Sequence, residues 1–186
     1  MDRRTLLLAA AALPLAACTP APYGSPLSAE QRRALRLSSI SVTAQGAGFE
    51  SGRAADRASD IGPDLRAALQ GEFRNRLGGS GGAAMQVEVS RLNVAGGAST
   101  AFGRDLSRLS GQVRLVRPDG TLLASYTVQV VEGAAAETRA GALIGAATTT
   151  AGGNYRGLVT NFARETREQI LGGDLPGERL LRNTLN

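Results

Sequence analysis

Asp56, Asp60 and Asp64 recur every four residues, a spacing that would line three carboxylates along one helix face for a hard cation such as calcium. Pro63 interrupts the continuous helix that such a face needs, so these acids read better as capping and dipole partners at a helix start. Ser107 and Ser110 could act as nucleophiles only beside a base, and the chain contains no His. Glu132 and Glu137 leave a glycosidase-type carboxylate pair open, since its members can lie far apart along a chain. Gly78-Gly79-Ser80-Gly81-Gly82 could cradle a phosphate, but no Lys follows it and no strand precedes it, which favours a turn. All 21 basic residues are Arg, and Cys18 is the single thiol. These absences exclude imidazole base catalysis, Cys–His nucleophiles, His/Cys zinc sites, Schiff-base lysines and Walker-type loops. The expectation is a non-enzymatic chain with no catalytic residue, no cofactor and no metal.

Chemistry of another kind sits at the N-terminus. Asp2-Arg3-Arg4 precedes an apolar run from Thr5 to Pro14. Its length of about 10 residues suits a signal-peptide core and is too short to cross a hydrocarbon layer of roughly 30 Å. The run ends in Leu15-Ala16-Ala17-Cys18, which resembles the lipobox of bacterial lipoproteins. That resemblance implies cleavage before Cys18, lipid attachment and acylation (palmitate) there, and membrane association through the anchor. Thr19, where an Asp would imply inner-membrane retention, implies the outer membrane, with the domain facing the periplasm. Arg3-Arg4-Thr5-Leu6-Leu7 also resembles the twin-arginine export motif, but the segment reads first as a plain basic one for general secretion, with twin-arginine export as the alternative.

The formal charge of +5 points to anionic lipid head groups or acidic envelope polymers as neighbours, and not to nucleic acid. Arg32, Arg33 and Arg36 are the densest basic group, placed either close to the membrane or at the solvated entry to a first strand. Residues 19–29 hold three prolines and read as an extended tether.

The elements that would position these residues follow from periodicity. Leu35 to Thr43 reads as a strand whose alternation changes phase near Ser39. Ser59-Asp60-Ile61-Gly62-Pro63-Asp64 is a helix start, and Ile61, Leu65, Ala68, Leu69, Phe73 and Leu77 form one apolar stripe that the Gly78–Gly82 run ends. Met85, Val87 and Val89 alternate, after which Leu92 and Val94 take the opposite phase, predicting a strand bulged near Ser90-Arg91. Leu109–Val116 and Leu122–Val131 flank Arg117-Pro118-Asp119-Gly120-Thr121 as a hairpin. Leu122, Ala124, Tyr126, Val128 and Val130 share one face of it. The Ala/Gly/Thr-rich segment 134–153, with Gly141-Ala142-Leu143-Ile144-Gly145 inside it, reads as a loop. Asn154 to Leu171 is an amphipathic helix whose apolar side carries Tyr155, Leu158, Val159, Phe162, Thr166 and Ile170.

The predicted fold class is α+β: about four strands in a mostly antiparallel sheet, mixed if the first and second strands pair in parallel, with two amphipathic helices on one face. The predicted organisation is a signal at 1–17, lipidated Cys and tether at 18–34, domain at 35–171 and tail at 172–186. The strand-helix-strand order, with Gly111-Gln112-Val113-Arg114-Leu115, a Pro-Asp-Gly turn and a closing helix, resembles small uncharacterised envelope lipoproteins. It is also similar to the α+β domain of curli-secretion and penicillin-binding-protein-activator lipoproteins. The resemblance implies a partner-binding or assembly role, through a sheet edge or helix face toward an envelope protein. A small-ligand or lipid carrier with a pocket between sheet and helices is the alternative.

Overall fold

A computed structural model describes residues 25–96, 99, 105–132 and 151–173. Cys18, the signal at 1–17, Glu137, Gly141–Gly145 and the tail beyond residue 173 lie outside the described residues.

The chain forms α1 (Ala29–Ala34), β1 (Leu37–Thr43), β2 (Gly48–Phe49), α2 (Gly52–Ala55), α3 (Ile61–Glu72), a 3-10 turn (Arg74–Arg76), β3 (Ala83–Asn93), β4 (Ser107–Val116), β5 (Leu122–Glu132) and α4 (Ala151–Leu171). The fold is α+β. Its mixed sheet has the order β1-β3-β4-β5, with β2 pairing β3 beyond the end of β1. β1 and β3 run parallel, connected through α3, and β3-β4-β5 is an antiparallel meander. Both irregularities foreshadowed by the phase changes are present. Register shifts between Leu37 and Ser39 and between Val89 and Arg91, so each strand keeps its apolar side inward on both sides of the shift.

α3 and α4 lie side by side on one face, α3 over β1 and α4 over β4 and β5. Between them and the sheet, Leu65, Leu69, Phe73, Met85, Leu115, Leu158 and Phe162 have no exposed surface. The other face is wet and carries cross-strand polar pairs such as Arg114–Glu88 at 3.3 Å and Gln112–Thr127 at 3.4 Å.

Several expectations are corrected. The tether ends earlier than residue 34: Leu27 is 3% exposed, and Ser25 Oγ lies 3.0 Å from Tyr126 Oη. Ser28 and Gln31 form a reciprocal capping box that starts α1, so residues 25–34 belong to the domain. Pro63 does not break a helix, because it occupies the first turn of α3, where its missing N–H costs no bond. The α-helix stops at Glu72, and Leu77 is reached through the 3-10 turn. Gly78 then turns with φ +97°, and Gly82 passes so close to β1 that a Cβ there would lie 2.8 Å from the Arg36 carbonyl oxygen. Leu122 is not on the buried face but 56% exposed, because register shifts by one residue beside the hairpin turn.

Candidate functional site

The acids singled out for chemistry are separated by the fold. Asp56 closes α2 and is exposed. Asp60 binds Arg57 at 3.2 Å and accepts from Ser59 Oγ at 3.1 Å, in place of capping α3 with its side chain. Asp64 Oδ2 accepts the Tyr155 hydroxyl at 2.8 Å, joining α3 to α4. Among the described residues no three His, Cys, Asp or Glu side chains gather as a metal site. Ser107 is fully buried and its Oγ accepts the Ala95 N–H at 2.9 Å, a structural bond that holds the chain leaving β3. Glu132 packs beside α4, where a Cβ on Gly157 would lie 3.1 Å from its carboxyl carbon.

The Tyr155–Asp64 bond is the centre of a cleft between α3 and α4. Arg57 lies over the Tyr155 ring at 5.0 Å from its centroid. Arg57, Asp64, Tyr155, Arg156 and Val159 line a cavity of about 430 Å³. Burial pushes the Tyr155 phenol far above the ordinary tyrosine range, and the hydrogen bond to Asp64 and the charges of Asp64 and Asp60 push it the same way. The phenol therefore stays protonated and donates, with no capacity to act as a base at neutral pH. The sequence holds no local signal for this pair, whose members are 91 positions apart.

The more distinctive surface is β5. Ala124 to Glu132 pair with β4 in unbroken register, and among the described residues β5 has no partner on its other side. Leu122 through Val131 contains no charge and no Pro. Natural edges are usually blunted by charges, Pro, bulges or shortness. The opposite edge, β1, carries one of these devices, the irregularity at Leu37/Ser39. Leu122 at 56% and Val131 at 47% exposure are the exposed large apolar side chains of the described residues, and both stand on β5. On the inner side of β5, Val128 has no exposed surface, and Ala124, Tyr126 and Val130 are buried against the helices.

Among the described residues no helix is long and apolar enough to cross a membrane. No protein-family model matches the chain, and no curated protein matches it. Solved structures overlay on it loosely. A candidate lipoprotein from Caulobacter crescentus CB15 is 17% identical, with a TM-score of 0.39 over 73% of this chain and 92% of that one. A PelC dodecamer from Paraburkholderia phytofirmans is 8% identical, with a TM-score of 0.42 over 75% of this chain and 89% of that one. A DUF330 protein from Xanthomonas campestris is 12% identical, with a TM-score of 0.33 over 81% of this chain and 86% of that one. At such scores no residue role passes from those proteins to this chain.

Proposed function

We propose that this chain is a lipid-anchored protein of the bacterial cell envelope, held by Cys18 at the periplasmic side of the outer membrane, whose domain associates with an envelope protein by strand addition at β5. The role is one of binding and assembly, without catalysis. The observation that carries it is the β5 edge: 11 residues long, uncharged from Leu122 to Val131, and bearing Leu122 and Val131 in the open. Main-chain groups along such an edge supply affinity, and the alternating outward side chains supply selectivity. A photo-crosslinking residue at Gln129, in intact cells, is expected to yield one discrete covalent adduct. Thr127→Lys with Val131→Lys places two cations on that edge and is expected to abolish the adduct while leaving the domain folded. Recovery of the monomer alone from Gln129 would overturn strand addition at β5.

A further inference from the structure

Six arginines from separate parts of the chain meet at one end of the domain. Arg76, in the 3-10 turn, reaches to the end of α1 and donates from Nη1 to the carbonyl oxygens of Arg33 at 2.7 Å, Leu35 at 3.3 Å and Arg32 at 3.4 Å. Arg32, Arg33 and Arg76 line a groove of about 190 Å³ with Ala29 and Leu171. Also beside α1, Arg36 and Arg117 line a hollow of about 570 Å³ floored by Gly79–Ala83. Desolvation holds Arg76 below its ordinary range, and the charges of Arg36 and then Arg167 act in the same direction. Cations gathered this closely repel one another, and an anionic surface relieves that repulsion. Acids stand among these arginines in the chain as well: Glu30 on α1, Glu72 at the end of α3, Asp119 in the β4–β5 turn, and Glu165 and Glu168 flanking Arg167 on α4, so the cationic face is the one that Arg32, Arg33, Arg36, Arg76 and Arg117 line.

The chain that leads toward Cys18 departs from the same end. Ser25 Oγ donates to the Ile170 carbonyl at 3.4 Å, one residue from Leu171 in the arginine-lined groove. Cys18 lies seven residues earlier. At about 3.5 Å per extended residue, a lipidated Cys18 would be within roughly 25 Å of Ser25. We propose that this arginine end rests on the anionic head groups of the membrane holding Cys18, setting the orientation of the domain and keeping the far end of β5, with Val131, away from the bilayer. The occupant follows from the lipid-anchor part of the proposed function, whereas the arginine surface exists without it.

The test is co-sedimentation of the unlipidated full chain with two vesicle types, phosphatidylcholine alone and phosphatidylcholine with about one quarter phosphatidylglycerol. The apolar run Leu6–Leu13 partitions into both, so the anionic preference is the readout. A preference on the order of 100-fold is expected, falling toward parity as salt rises to about 0.5 M. Arg33→Gln with Arg36→Gln and Arg117→Gln is expected to remove most of that preference. Arg91→Gln with Arg108→Gln and Arg114→Gln, three exposed positions on β3 and β4, is expected to change it less than about 3-fold. Should the first triple variant fail to fold by circular dichroism, Arg33→Gln alone, expected to cost about 5-fold, takes its place. Equal binding to both vesicle types, or an equal loss in the second triple variant, overturns the proposal. Failure of the anchor reads out separately, as absence of palmitate label at Cys18, and leaves the vesicle result unchanged.

Discussion

The ring of Phe162, on α4, occupies the space into which a side chain at Gly111, on β4, would project. A Cβ on Gly111 would lie 3.3 Å from Phe162 Cζ and 2.7 Å from the Glu88 carbonyl oxygen of the neighbouring strand. Gly111 thus lets a fully buried aromatic lie directly on the sheet, which fixes the height of α4 over β4 and β5. Gly111→Ala must push both the ring and a strand carbonyl, and the expected cost is about 2 kcal/mol. Urea unfolding checks this as a lower midpoint with an unchanged slope. A midpoint equal to wild type would mean that α4 is not seated by this contact.

The Tyr155–Asp64 bond carries a pH dependence whose sign is fixed. The folded-state phenol is raised well above its unfolded value of 10.0. Its contribution is therefore fully present below pH 10 and is lost as pH rises from there toward the folded value, because the unfolded chain releases the proton first. Tyr155→Phe is expected to cost about 1 kcal/mol at neutral pH, the net worth of one hydrogen bond. Above pH 10 its stability is expected to fall less steeply than that of wild type. Tyr126, raised chiefly by burial, keeps some slope in the variant. Parallel stability curves for the two proteins between pH 9 and about 11 would refute the assignment.

How far these features could be read beforehand depended on how local their cause is. The stripe from Ile61 to Phe73 and the phase change at Ser90-Arg91 are written in consecutive residues, and α3 and the β3 bulge follow directly. The stop of α3 at Glu72 was not legible, because a 3-10 turn carries Leu77 onward with nearly the same period as an α-helix. β2 and α2 are too short to leave a pattern in an Ala/Gly/Arg stretch. Ser28-x-x-Gln31 is a capping-box signature overshadowed by the preceding prolines, so residues 25–34 read as tether. The partners of Asp64 and the convergence of Arg36, Arg76 and Arg167 come from packing between distant elements, for which no spacing rule exists.

Arg76 has a second, structural task that is separable from charge. Its three carbonyl contacts satisfy the end of α1, a helix too short to persist alone. Arg76→Met keeps much of the aliphatic stem and deletes the donors, with an expected loss of about 2 kcal/mol. Native-state hydrogen exchange is expected to show faster exchange in residues 29–34 and unchanged protection in the core of α4. Equal loss of protection in both would mean global destabilisation and no specific cap.

Cys18 makes the anchor testable independently of any partner. It is the single Cys, it closes Leu15-Ala16-Ala17-Cys18, and the apolar run before it is short of a membrane span. With one thiol in the chain, no intramolecular disulfide competes for it. Cells expressing the wild-type chain are expected to incorporate labelled palmitate into it and to carry it in the membrane fraction. Cys18→Ser is expected to lose the label completely, and to leave the chain either soluble in the periplasm or uncleaved and larger on a gel. Because acyl burial contributes about 0.8 kcal/mol per methylene, no surface charge set of this domain can substitute for the missing chains at high salt. Membrane association that persists in Cys18→Ser with a cleaved N-terminus, after a high-salt wash, would remove the lipid anchor from the proposed function.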